Sequence, residues 1–402
     1  MNAPEPRQSS ARPLPRAVWV LGLVSMFMDI SSELVHSLLP LFLTGVLGVS
    51  VLTVGVIEGA AEAAALFAKV FSGAVSDALG RRKALAVLGY GLGAVTKPAF
   101  ALAQGAGVVV AARIVDRIGK GIRGAPRDAL VADLVPGDQR GAAYGLRQAL
   151  DTVGAVVGPM VATLLMLALA GDIRAVFWVA AVPAAIAVGL LHFGVQEPAR
   201  ARPAVRVSLL RLQALRELSG AYWAVVAFGA VFTLARFSEA FLLLRAQQLG
   251  VPLAWVPLVM VPMSIVYALT AYPFGKLADT LSRPLLLALG LVVLVAADLV
   301  LAFAREYRGL LVGVCLWGLH LGITQSLLSA MVADAAPEDR RGTAFGLFNL
   351  VSGVALLVAS ALAGFLWDRF GSATTFLTGA GLAVAGLVGA LVVGAIGTPG
   401  RR

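Results

Sequence analysis

Apolar residues fill this chain in long unbroken stretches. Runs at 175–191, 246–275, 309–333, 343–367 and 373–400 contain no Asp, Glu, Lys or Arg. A helix needs about 20 predominantly apolar residues to cross a bilayer. Only helices and closed barrels satisfy their backbone groups in lipid, and barrel strands alternate apolar with polar positions. These runs do not alternate. They predict an all-α polytopic membrane protein with twelve spans, near 17–43, 52–76, 84–104, 107–132, 142–169, 174–193, 220–248, 255–277, 284–304, 309–333, 343–367 and 373–396. The first span follows Arg7, Arg12 and Arg16, as the apolar core of a signal peptide follows its basic residues. No small-residue cleavage site comes after it, and the span carries on through Asp29 and Glu33, so it is kept as a span.

The fourth span conflicts with this pattern. "RIVDRIGKGIRGAPRD" (113–128) holds seven charged residues, five of them basic. On a helix turning about 100° per residue, Arg113, Asp116, Arg117, Lys120, Arg123 and Arg127 share one side. So do Asp29, Glu33 and His36 in the first span, and Glu58, Glu62 and Lys69 in the second. Charge inside a bilayer is costly, so all three stripes are predicted to face the bundle interior. There the acids of two helices meet the bases of a third. The seventh span adds Arg236 and Glu239. One reading of the stripes is structural: static ion pairs that hold the first half together. Asp151 and Arg147, one turn apart, read as a local pair in the fifth span, and Asp298 has no evident partner except Arg305, seven residues on.

Composition fits this class. Hydrophobic residues make up 59% of the chain and charged residues 13%, against about a quarter charged in soluble domains. The net charge of +10 would suggest a polyanion partner, but its distribution does not. With both termini and alternate loops on one side, that side holds eighteen Lys and Arg and the other four. This is the positive-inside asymmetry. It predicts a multi-pass inner (plasma) membrane protein with both termini cytoplasmic and no nucleic-acid partner. The single cysteine, Cys315, excludes disulfide frameworks and cysteine metal clusters. Met260, Met263 and His320 are too sparse for a metal path. No nucleophile–base pair or cofactor loop is visible, so neither an enzyme nor a cofactor is expected.

The chain is also a repeat. "ADLVPGDQRGAAYGLR" (132–147) and "ADAAPEDRRGTAFGLF" (333–348) agree at nine of sixteen positions, 201 residues apart, and "GAVSDALGRR" (73–82) returns as "GKLADTLSRP" (275–284). The expected organisation is a tail (1–16), a six-helix bundle (17–193), a basic linker (194–219), a second bundle (220–396) and a tail (397–402). Two copies in one orientation, with a site at midplane between them, describe a secondary transporter.

These segments resemble the major facilitator superfamily over essentially the whole length. "GAVSDALGRRK" is similar to that family's loop motif Gly-x-Leu-Ala-Asp-Arg-x-Gly-Arg-Lys. Gly73, Asp77, Gly80, Arg81 and Arg82 match, and Ala78 departs where a basic residue is usual. "RIGKG" resembles Arg-x-x-Gln-Gly, with Arg117 matching and Lys120 in place of Gln. Gly145, Gly154, Gly158 and Pro159 have the spacing of the fifth-span antiporter motif, which implies proton-coupled export. The second half keeps Gly346 but has Ala355 in place of the second glycine.

The residues carry physical expectations of their own. Glycines four apart let helices approach closely, and Pro159 frees a helix locally. Asp77 is placed to meet the positive N-terminus of a neighbouring helix, and Asp133 to pair with Arg81. With Asp279 and Asp334 in the second copy, they form the expected gates. A carboxylate resists ionising in a dry site, and a nearby cation opposes that effect, so an acid whose surroundings alternate can carry a proton. Asp29 and Glu33 are the first candidates, Glu58 and Glu62 the next, with Arg117 tuning them. His36, Arg113, Asp116, Lys120, Arg236 and Glu239 are expected around the substrate. The leading expectation is a monomeric, proton-coupled exporter of a small organic molecule, of multidrug type. The alternative is an uptake carrier for an anionic or metal-chelate solute, held by the fourth-span cations.

Overall fold

The computed structural model describes residues 13–197, 218–278, 280–325, 327–337 and 340–396. Among these residues the chain is helical, without strands. The first six passages are Arg16–His36, continued by Leu39–Leu41 and Phe42–Val46; Val51–Leu79; Arg82–Leu102; Ala106–Leu134; Arg140–Ala168; and Ile173–Gly194. The other six are Gly220–Leu234 with Ala240–Gln248; Leu253–Val259 with Met260–Leu277; Arg283–Phe303; Tyr307–Thr324 with Leu327–Ala335; Arg341–Phe370; and Ser372–Ile396. Among the described residues ten helices are long and apolar enough to cross a membrane. The fourth passage falls short because of its charges, and the seventh because it breaks between Leu234 and Ala240. Most of the expected linker lies outside the described residues, as do Asp279 and the Asp77 side chain.

Local chemistry sets the turns. Ser50 accepts a hydrogen bond from Thr53 N at 3.2 Å and caps the second span. Gly80, at φ +60°, ends that span in the left-handed region open to glycine. The fifth span stays one helix through Pro159. Pro159 has no N–H to offer the Ala155 carbonyl four residues back.

The repeat recurs in the packing. A side chain on Gly89 would meet Gly119 O at 2.6 Å, where the third span crosses the fourth. The residues 201 further on are Gly290 and His320, and there His320 Nδ1 lies 2.8 Å from Gly290 O. At the loop motif, Arg82 donates to Asp133 at 2.6 Å and to Ala129 O at 3.0 Å. Arg283, likewise the first residue of its span, pairs with Asp334. This corrects the expected Arg81–Asp133 pair. Arg82 is the first residue of the third span, and its side chain lies against the end of the fourth, whereas Arg81 caps the helix exposed.

The halves meet along the second and eleventh spans. A side chain on Gly364 would lie 2.6 Å from Leu52 Cα, and one on Gly59 2.8 Å from Leu357 Cα. Asp368 crosses the seam: Leu52 N donates to Oδ2 at 2.8 Å and Val51 N to Oδ1 at 3.2 Å. A carboxylate thus caps the positive start of the second helix. These contacts seal the side opposite the one where the first span begins and the last ends.

A charged cavity between the two halves

Within the seam is a cavity of about 390 Å³. From the first half it is lined by Asp29, Ser32, Glu33 and His36 of the first span, Glu62 of the second, Arg117, Lys120 and Arg123 of the fourth, and Ala155 of the fifth. The second half supplies Arg236, Phe237, Ser238 and Glu239 from the break in the seventh span. Met263, Ser264 and Tyr267 follow from the eighth, Leu321 and Gln325 from the tenth, and Leu356 from the eleventh.

Glycines fix the acids in place. A side chain at Gly154 would lie 2.9 Å from Asp29 Cβ, and one at Gly158 2.5 Å from Glu33 Cβ. The two fifth-span glycines are therefore the surface on which these two acids rest. Gly145, by contrast, faces open space, and Gly73 has only Ala125 Cβ nearby, at 3.7 Å. The break in the seventh span is stabilised by side chains: Ser238 N donates to Ser360 Oγ at 3.2 Å, and Ala240 N to Ser238 Oγ at 3.3 Å. Satisfied in this way, non-helical backbone is tolerated at membrane depth, and it presents Arg236 and Glu239 to the cavity.

Behind the wall is a second, dry layer. Arg113 donates to both oxygens of Glu58, at 3.0 Å and 2.6 Å, and both side chains are 1% exposed. Asp116 accepts from Lys97 Nζ at 2.8 Å and has Arg113 at 3.9 Å. Arg113 and Asp116, expected to contact substrate, thus lie outside the cavity, as does Glu58. Their charges are spent on one another, a planar guanidinium matching a carboxylate in the bidentate manner. His36 links the layers, 3.8 Å from Glu58 and 3.7 Å from Glu33. On the wall itself Arg117 pairs with Glu62 at 3.2 Å. Arg123 is buried over the Tyr90 ring at 4.7 Å, and its outer nitrogen has no hydrogen-bond partner. Arg127 turns away to Asp128 and Ser25, at 3.1 Å and 3.3 Å, and Lys69 lies off the wall. Arg147 and Asp151 pair at 3.5 Å.

Besides the break in the seventh span, two features were missed from the sequence. Lys97 stands alone in "GAVTKPAF" (93–100), and a lone lysine in an apolar span is itself the signal. The carbonyl released by Pro159 belongs to Ala155, which is on the wall. His320 stacks on Phe232 rather than on the cavity wall. Among the described residues no cluster of His, Cys, Asp and Glu is arranged to hold a metal.

Comparison with known proteins agrees with this architecture. The family model described as Major Facilitator Superfamily matches residues 21–360 and 231–400. An uncharacterized MFS-type transporter of Methanocaldococcus jannaschii is 32% identical over 381 residues, covering 93% of this chain and 94% of its own. In the crystal structure of the nucleoside transporter NupG the fold recurs with a TM-score of 0.80 at 14% identity, over 94% of this chain and 99% of that one. A bacterial homologue of the human lysosomal transporter Spinster, in an inward-facing and unoccupied conformation, aligns with a TM-score of 0.70 at 15% identity, over 94% and 95% of the two chains.

Proposed function

The chain belongs to the major facilitator superfamily, and on that premise we propose that it is a proton-coupled secondary transporter that exports a small polar organic solute by alternating access. The observation that carries this reading is the seating of Asp29 and Glu33. Both acids line the cavity between the halves, and both rest on glycines of the fifth span. A shift of that span changes the surroundings of both acids at once, and with them the ease of holding a proton. Arg117 and His36 are the adjacent cationic and titratable groups that bias this exchange.

With both termini read as cytoplasmic from the positive-inside asymmetry, the sealed side faces outward and the cavity is reached from the cytoplasm, which is the state in which an exporter loads. The polar, charged lining favours a solute with charges of its own over a lipophilic drug. The contacts at Arg82–Asp133 and Arg283–Asp334 brace each half as it rocks.

In everted vesicles, addition of substrate to the protein should dissipate an imposed pH gradient. Asp29→Asn together with Glu33→Gln should reduce that proton flux at least tenfold while the protein stays in the membrane. Undiminished flux in that double variant would exclude these acids as the coupling groups.

A further inference from the structure

Taking the transport reading of this cavity as given, we infer that its solute is amphoteric: one small molecule carrying both a cationic and an anionic group. The cavity wall holds four acids and four bases. Arg117 and Glu62 neutralise each other. Glu33 leans on His36, and Arg123 lies over Tyr90. Arg123 meets that ring and no acid, and four charges face the open cavity: Asp29, beside Asp151 of the fifth span, Lys120, Arg236 and Glu239. Among the described residues none of the four has an oppositely charged group within 4.0 Å. They divide evenly, one acid and one base from each half.

This balance differs from the sequence picture, in which five fourth-span bases faced four acids and an anion site looked open. Arg113 and Arg127 are engaged elsewhere, and the seventh span brings an acid along with its base. The wall carries as many acids as Lys and Arg, and the four groups that face the open cavity are again two of each sign.

A transporter must close its cavity around the solute and expel water. An ion left unpaired in the dry site is then strongly unfavourable. A neutral solute would leave all four charges bare. A simple anion or cation would satisfy one sign only. A molecule carrying both signs satisfies both, and because each half offers both, it draws the halves together as the cavity closes. Its anionic group belongs with Lys120 and Arg236, its cationic group with Asp29 and Glu239. Phe237 and Tyr267 on the second wall cover the apolar part between them. A proton on Asp29 stands in for the solute's cationic group on the return step, which is the exchange that export against protons requires.

The test uses the purified full-length protein and its thermal unfolding in detergent. Four matched probe sets share the same scaffolds: free amino acids and dipeptides, their methyl esters, their N-acetyl derivatives, and the N-acetyl methyl esters. Stabilisation should be confined to the free, zwitterionic set. Lys120→Gln and Arg236→Gln should each weaken that response at least tenfold and narrow the gap between free compounds and esters. Glu239→Gln should narrow the gap between free compounds and N-acetyl derivatives instead. Stabilisation by esters, N-acetyl compounds or doubly blocked compounds alone overturns the amphoteric class, as does a response in none of the four sets. Neither result touches the vesicle proton flux, so this inference and the transport reading fail separately.

Discussion

The two halves share one scaffold and use it differently. The third and fourth spans of the first half hold Lys97 against Asp116, buried and hydrogen-bonded at 2.8 Å. The same places 201 residues on hold Asp298 and Trp317, and there the carboxylate oxygens and the indole nitrogen have no hydrogen-bond partner. Around them the second half is packed with rings: Phe237 meets Phe241 and Trp317 at 5.3 Å each and Phe376 at 5.6 Å. One half is thus built on compensated charge and the other on apolar contact. The loop motif is common to both. What the fold requires of each copy is the close helix crossing and the Arg–Asp contact at the loop; the interior chemistry is free to diverge. The charged half supplies most of the wall chemistry, and the apolar half supplies a broken helix with one acid and one base.

The largest expected effect tests that contrast directly. Arg113→Met would leave Glu58 buried without its partner, which costs about 3–5 kcal/mol. Thermal unfolding of the purified variant should fall accordingly, and Glu58→Met in the same chain should restore most of the loss. Lys97→Met should behave like Arg113→Met. Its counterpart, Asp298→Leu, should be neutral or stabilising by about 1–3 kcal/mol, because it removes an acceptor that nothing satisfies. A loss at Asp298 as large as that at Lys97 would mean the second half depends on buried charge after all.

The next effect is smaller and concerns the fifth span against the eleventh. Gly158→Ala puts a methyl 2.5 Å from Glu33 Cβ. Overpacking of this kind costs about 1–3 kcal/mol, and transport should be lost well before the fold is. The position 201 residues on is already alanine, Ala359, and Ala359→Gly should cost about 1 kcal/mol from helix propensity alone. Transport that survives Gly158→Ala but not Ala359→Gly would reverse the assignment of the moving helix to the first half.

Much of this architecture was legible in the sequence because lipid simplifies the code. Apolar run lengths set the spans, and the 201-residue repeat set the two bundles. Most of the charged stripes turn inward, but Lys69, drawn with Glu58 and Glu62 on the second span, is exposed. Facing, however, does not give depth. Arg113, Arg117 and Lys120 share a stripe, yet Arg113 is 1% exposed behind the wall while Lys120 stands open in the cavity. Which side chain reaches the wall depends on where the second and third spans cross the fourth, through Gly89, Gly119 and Gly121. No periodicity encodes those crossings. The partner of Asp133 was missed by one residue for a similar reason. Arg81 and Arg82 are adjacent in sequence, but helix geometry aims only the second at the end of the fourth span. The break in the seventh span was hidden altogether, since "LARFSEA" (234–240) reads as helix and the Ser360 hydroxyl that receives Ser238 N comes from a span 122 residues away.

The smallest expected effect lies at the loop motif that the halves share. Arg82 and Asp133 are 13% and 11% exposed, and Arg82 also bonds Ala129 O. Arg283 and Asp334 are 32% and 66% exposed. An exposed ion pair contributes about 0–1 kcal/mol, whereas a hydrogen bond to a charged group in a shielded place contributes about 1.5–3 kcal/mol. Arg283→Ala should therefore barely move thermal unfolding, and its effect should vanish in about 1 M salt, where charges are screened within about 3 Å. Arg82→Ala should cost more and keep most of that cost in salt. The same motif would then be a surface contact in the apolar half and part of the internal charge network in the charged half. If the two variants fall equally and lose their effect equally in salt, the contrast between the halves stops at the membrane interior and does not reach the loops.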